Sequence, residues 1–328
     1  MNTNPMITNP SNNPPFAFTV IGAASEFGHA FTRHCAANGH TVAALVHSRH
    51  EAQDASRHGA HSIIVDTNNV NEMADALRTI DAPVVVNLLT QQSNSLLHDG
   101  AYFKDIAKKV LPQTQTLIAA ASSASVPFLV HTSYAFLYGS AIGAVETTPL
   151  MLPGNQSAIQ AAIATETAVV QGDVPYAIAR LGYLYGPESK DLHAYITSFK
   201  LHRPYFAGPR GTLGNWVHTV DAIAAILLIA EHKAKGEIYN VVDGTPIQFK
   251  DVINQLAHLN GFKSPWRIPP QYSFTARLVI KEPQIMLLNE SLTVNAAKIR
   301  QLGWAPAFPD VRLGLTDIVK SWQTSPAK

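Results

Sequence analysis

From residue 16 onward, short runs of β-branched and other apolar residues alternate with longer stretches whose apolar positions recur at helical spacing. That alternation marks a parallel sheet whose strands are joined by crossover helices. The pattern predicts strands at 16–21, 41–47, 62–65, 83–88, 127–132 and 176–181, each followed by helix-compatible sequence or a loop. The run Val84, Val85, Val86 has no polar alternation, which suits a central strand covered on both faces. A helix over 28–38 should stop at Gly39, because glycine adopts the left-handed helix-end conformation freely. A short, His-rich helix follows the second strand. A longer one over 99–123 contains Pro112, which is expected to kink or split it. The helix over 157–171, largely Ala and Ile with Glu166, is apolar nearly all round, so either the sheet or a twin helix in a homodimer should cover it.

Past Pro187 the elements become shorter and richer in Pro, Gly and aromatics. A helix at 220–233 and a strand at 237–242 are expected to return to the main sheet, with Asp221 capping the helix. The fold class expected is therefore α/β, a doubly wound parallel sheet of Rossmann type with a smaller, discontinuous C-terminal substrate lobe. In this division residues 1–15 form a disordered tail and 16–187 a dinucleotide-binding domain to which 216–261 returns. Residues 188–215 and 262–328 make the lobe.

Composition narrows the partners. A chain of 328 residues at 46% hydrophobic can bury such a core. Its 24 basic and 23 acidic residues nearly cancel, so neither nucleic acid nor an anionic membrane is favoured and a small-molecule substrate is expected. A single cysteine, Cys35, excludes an intramolecular disulfide framework and fits a reducing compartment. The Asn- and Pro-rich start lacks the basic and apolar regions of a secretory signal, and no apolar run approaches the roughly 20 residues of a membrane span. A soluble, cytoplasmic protein is expected. His47, His50, His58 and His61 fall close together, but no acidic or cysteine partner is expected to complete a metal set, so no metal is assigned.

The stretch FTVIGAASEFGHAF leads from the first strand through Gly22, Ser25, Phe27 and Gly28 into a helix. Small residues there let helix N–H groups approach a pyrophosphate, which makes these four candidates for cofactor binding. Ser25 replaces the middle glycine of such a loop, where it would either crowd the diphosphate or hydrogen-bond to it. Glu26 should turn to solvent, since its carboxylate would repel the phosphates. The second strand ends in His47, Ser48 and Arg49 instead of an acid, which favours the 2′-phosphate of NADP over the free ribose of NAD, with Arg49 as the clamp. The competing reading is an exposed basic turn. Asp66 is placed either for an adenine amino group or to cap its own turn, and Leu88 and Leu89 leave the fourth strand where open α/β sheets hold ligands. A vestigial turn without its ligand is the alternative to a bound cofactor.

These segments resemble the extended short-chain dehydrogenase/reductase family, the NAD-dependent epimerase/dehydratase group. The likeness rests on VIGAASEFG, TLIAAASSASVPFLVHTS, Tyr138-Gly139, RLGYLYGP, WVHTVDAIAAI, YNVVDGTPIQFKDV and AAKIRQLGWAP. It implies chemistry carried by an Asn, a Ser or Thr, and a YxxxK pair whose tyrosine relays the proton. Those positions fall here on Val110, Tyr134, Ala158 and Ala162, and the chain has no lysine between Lys109 and Lys190 and no tyrosine between Tyr138 and Tyr176. A relocated acid is expected at Tyr134, with Ser133 and Tyr183 as further catalytic candidates and His131, Tyr138 and Tyr102 behind them. Tyr134 could equally be an aromatic plug in the space the pair vacates. The function implied is an atypical NAD(P)-binding enzyme acting on a small molecule, by non-canonical hydride transfer or a redox-neutral isomerase, lyase or cyclase reaction. A catalytically silent NADP(H) sensor or scaffold is the alternative.

Overall fold

The computed structural model describes residues 16–90, 100–151, 157–206, 211–268 and 291–324, with side chains outside 100–107, 157–158 and 206. The first half of the chain alternates strand and helix: β1 (Phe18–Ile21), α1 (Glu26–Ala37), β2 (Val42–Val46), α2 (Arg49–Arg57), β3 (His61–Ile64), α3 (Val70–Ile80), β4 (Val85–Asn87), α4 (Gly100–Ser123) and β5 (Leu129–Tyr134). A 3-10 turn at Ala135–Tyr138 precedes α5 (Ser157–Gln171), β6 (Tyr176–Leu181) and β7 (Tyr183–Tyr185). Then come α6 (Lys190–Lys200), β8 (Tyr205–Phe206), β9 (Leu213–Gly214), β10 (Trp216–His218), α7 (Thr219–His232) and β11 (Glu237–Val241). The chain closes with β12 (Ile247–Gln248), α8 (Phe249–Leu259), β13 (Arg267–Ile268), α9 (Ala297–Gln301) and α10 (Val311–Thr324).

Among the described residues, seven strands form one parallel sheet in the order β11-β6-β5-β4-β1-β2-β3. The chain winds outward from β1 to β3 and then in the other direction from β4, so the switch point lies between β1 and β4. This is the expected doubly wound α/β fold. Successive residues of β2 serve opposite cores: Val42, Ala44 and Val46 pack with α1 and α7, whereas Ala43 and Leu45 pack with α3 and α4. Covered on both faces, such strands have no use for polar alternation.

Three local expectations change. Helix α4 runs unbroken through Pro112, so the proline does not split it. Strand β5 continues to Tyr134, two residues past its predicted end, because Ser133 and Tyr134 pair with Arg180 and Leu181 of β6. Asp221 does not cap α7; His218 does, its Nδ1 accepting from the Val220 N–H at 3.2 Å. The Asp221 carboxylate instead accepts from the backbone N–H of Ala307 (2.6 Å) and Phe308 (3.0 Å), fastening that loop to the helix. A separate apolar cluster, with Tyr185, Trp216, Phe249, Leu256 and Leu315, gathers β7, β10, α8 and α10. The 1–15 tail and 269–290 of the expected lobe lie outside the described residues. No helix among the described residues is long and apolar enough to cross a membrane.

Just past β11, Asp243 is buried, with Oδ1 accepting from Gly244 N (2.7 Å) and Thr245 N (3.1 Å). Burial pushes its carboxyl pKa up to about 7, the nearby Asp310 charge adding to the rise. A folded protein that holds this proton more tightly than the unfolded chain loses stability as pH rises from about 4 to about 7, and the loss is complete above that. Asp243→Asn keeps the acceptor and removes the charge. Relative to the parent it should therefore gain stability across that interval, by up to roughly 4 kcal/mol at pH 8. Urea unfolding of both proteins at pH 5 and pH 8 checks this; a pH-independent difference would contradict it.

Candidate functional site

The loop from β1 to α1 is built on backbone proximity. Gly22 takes φ +86°, and a Cβ there would sit 2.9 Å from the Leu88 carbonyl carbon. At Gly28 a Cβ would lie 2.2 Å from the Gly22 carbonyl oxygen, inside any allowed contact. Ser25 is the N-cap of α1: its Oγ accepts from Gly28 N (3.0 Å) and donates to the Gly22 carbonyl (2.8 Å). The hydroxyl thus closes the turn from within, and the helix N-terminus retains the positive end of its dipole. Phe27 is buried in the core beneath the loop, so it supports the loop by packing. Glu26 is half-buried instead of fully solvated. Desolvation raises its carboxyl pKa, and Oε2 lies 3.5 Å from the Lys190 N–H.

A cleft of about 740 Å³ opens at the carboxyl ends of β1, β2 and β3. Of the residues expected to hold a cofactor, Gly22, His47, Asp66 and Leu89 line it. Ser25, Phe27, Gly28, Ser48, Arg49 and Leu88 stand outside that lining: Ser48 caps α2 through the Glu51 N–H, Arg49 is exposed, and Leu88 is buried behind Gly22. The Asp66 Oδ1 accepts from the Asn68 N–H at 2.9 Å, so it caps its own turn while facing the cleft. Sequence reasoning missed Glu51, Glu72, Lys108, Lys109 and Gln113, all on helices that reach the cleft from outside the strand ends. Glu51 had a signal, since it stands three residues past the Ser48 cap, where an acid reaches back to the chain before the helix. Its Oε2 lies 2.8 Å from His47 Nδ1 and accepts from the His47 N–H at 3.2 Å.

Tyr134 ends β5 almost fully buried. Its hydroxyl donates to the Thr90 carbonyl, and its ring stacks on Phe136 at 4.5 Å. With Leu137, Ile159 and Ala162 it forms a compact apolar cluster between β5 and α5. The neighbouring Ser133 is fully buried. Tyr183 belongs to the other cluster, edge-on to Trp216 at 4.5 Å, and donates to Asp191 Oδ2 at 2.6 Å. Burial, reinforced by the Asp191 charge, holds its phenol well above the ordinary value. The structure does not gather Tyr134 and Tyr183 in one packing unit. His131 is fully buried, its Nδ1 3.1 Å from Asn87 Nδ2, and desolvation lowers its pKa to about 4, which keeps the ring neutral. Tyr138 donates to Asn240 Oδ1 (2.7 Å) and accepts from Arg180 Nη1 (2.8 Å). The Tyr102 side chain lies outside the described residues.

A glycine cradle that excludes any Cβ, a helix N-terminus behind it and a cleft across three strand ends together fit a dinucleotide. Residues 18–242 match the model of the NAD dependent epimerase/dehydratase family. The chain belongs to that family. This epimerase/dehydratase-family chain is 27% identical over 306 residues to a 3-diazoavenalumate denitrifying reductase of a Streptomyces species, spanning 90% of this chain and 98% of that protein. It is 23% identical over 314 residues to a 4-hydroxy-2-methyl-3-oxo-4-farnesyl-3,4-dihydroquinoline-1-oxide ketoreductase of Stigmatella aurantiaca, spanning 87% and 91%. A dTDP-glucose 4,6-dehydratase from Streptomyces venezuelae, solved with NAD bound, shares the fold at a TM-score of 0.73 and 20% identity, spanning 94% of this chain and 97% of that one. As a member of this family, the chain is an NAD(P)-binding protein.

Proposed function

We propose that the chain is an NADPH-dependent reductase for a small electrophile whose reduction needs no proton from the protein. The observation that carries this reading is the junction of β5 and α5. The helix contains neither tyrosine nor lysine, and Tyr134, packed against it, commits its hydroxyl to the Thr90 carbonyl. The reduced dinucleotide supplies a hydride when bound. A carbonyl acceptor becomes an alkoxide and calls for an acid, whose absence costs roughly 10²- to 10⁴-fold. An arenediazonium does not. As its new C–H bond forms, the C–N bond breaks, its electron pair leaves on nitrogen, and neutral arene and dinitrogen result. A lysine ammonium on that helix would repel such a cation, whereas the apolar face that α5 presents to Tyr134 does not. The name of the Streptomyces relative, a denitrifying reductase of a diazo compound, supports this acceptor class. Tyr134, Ser133 and Tyr183 then serve packing and orientation.

Support for the phosphorylated cofactor comes from the N-terminus of α2. Ser48 caps it, Arg49 is exposed in its first turn, and His47 precedes it, a combination of helix N–H groups and a guanidinium that suits phosphate. Glu51 would oppose an anion, but His47 Nδ1 lies 2.8 Å from its carboxylate and tempers it.

The protein is expected to oxidise NADPH on addition of a substituted arenediazonium, above the rate without protein, releasing one dinitrogen per NADPH, and to turn over an aryl ketone far more slowly. Tyr134→Phe should leave kcat little changed, and Arg49→Ala should weaken NADPH about tenfold without affecting NADH. Ketone turnover abolished by Tyr134→Phe would restore a proton relay. NADPH binding without turnover of either acceptor would leave a cofactor-binding sensor. Either result overturns the proposal.

A further inference from the structure

On the flank of α1 and α2, the fold brings one side chain of α1 against two at the end of α2. His29 is the fourth residue of α1, Asp54 lies in α2, and His58 is the C-cap of α2, four positions beyond Asp54. One ligand atom from each lies within 4.8 Å of the other two, and all three residues are half-buried. His29 Nε2 is 2.8 Å from Asp54 Oδ2, and the two imidazoles stack at 4.0 Å with 11° between their planes. The run of His47, His50, His58 and His61 hid this set, because the histidine that completes it comes from the preceding helix.

We propose that His29, Asp54 and His58 bind a divalent transition ion, zinc in the first place, leaving a fourth position to water. Two imidazoles and one carboxylate suit zinc, nickel or cobalt, whereas magnesium and calcium prefer all-oxygen sites. His58 Nδ1 lies 2.8 Å from the Asp54 carbonyl oxygen. Donation there puts the lone pair of a neutral ring on Nε2, the outer hydrogen bond that ordinarily orients a ligating histidine. Tetrahedral zinc at about 2.0–2.1 Å wants ligand atoms about 3.3 Å apart, a contraction that tilting the two partly exposed rings supplies. An ion held there would clamp the first turn of α1 to the end of α2, the helix that brings Glu51 to the cleft.

Calorimetry and cobalt spectroscopy on chelator-treated, tag-free protein test this. One equivalent of zinc should bind saturably and raise Tm, and cobalt should give the intense visible bands of a tetrahedral site. Asp54→Asn and His58→Ala should each weaken zinc at least tenfold and bleach the cobalt bands, with circular dichroism unchanged. His50→Ala, an exposed neighbour on the same helix, should change neither. No saturable uptake, uptake that survives both site variants, or loss confined to His50→Ala would overturn the assignment.

Discussion

Gly28→Ala is expected to weaken NAD(P) binding on the order of 100-fold or more, about 2.7 kcal/mol. The added methyl would lie 2.2 Å from the Gly22 carbonyl oxygen and 2.7 Å from two backbone atoms of Ala23. Backbone cannot swing aside as a side chain can, so the whole loop must open. That displacement also breaks the hydrogen bonds through which Ser25 closes the turn and turns the α1 N–H groups away from the phosphates. Gly39→Ala separates this effect from general strain. Gly39 has φ +78° but open space around it, so alanine there should cost about 1 kcal/mol of stability and leave cofactor affinity intact. Fluorescence titration with NADPH checks both. Normal binding by Gly28→Ala would mean that this loop is not the cradle.

Glu166→Ala should destabilise the fold by about 3–5 kcal/mol. The Glu166 carboxylate accepts from Arg180 Nε at 3.0 and 3.2 Å and from Nη2 at 2.7 Å, and both residues are buried. The guanidinium also donates to the Tyr138 hydroxyl and the Glu146 carbonyl and lies 5.0 Å over the Tyr138 ring. Removing the carboxylate strands a buried cation with only neutral acceptors. Exchanging both partners for apolar residues, as in Glu166→Leu with Arg180→Met, should therefore cost less than Glu166→Ala alone. Denaturant unfolding of the two variants measures the difference, and a double variant less stable than Glu166→Ala would contradict it.

How much of this was legible in the sequence depends on whether the cause was local. Strands β1, β2 and β4 were readable because two-sided burial leaves uninterrupted apolar runs. The stop of α1 at Gly39 and the glycine turn are readable because loop chemistry is set by adjacent residues, whereas Ser25, which the sequence places against a diphosphate, instead caps α1 and closes its own turn. The last two residues of β5, Ser133 and Tyr134, are not apolar β-branched residues, and only their pairing with Arg180 and Leu181 on β6 makes them strand. Asp221 reads as a helix cap by position, but its acceptors are claimed by a loop more than eighty residues downstream. Glu51, Lys108 and Gln113 reach the cleft from helices whose tilt no local pattern reports. The grouping of His29 with Asp54 and His58 is a tertiary event of the same kind.

The packing of Tyr134 with Leu137, Ile159 and Ala162 leaves no room at this end of α5 for a long charged side chain. A lysine introduced at 162 would bring its ammonium into a cluster made of Tyr134, Leu137 and Ile159, none of which carries a charge to pair with it. A smaller side chain at 134 would first have to make room for it. The order of substitution therefore decides whether a charged side chain can be accepted at this end of α5, and a laboratory attempt to install one begins on β5.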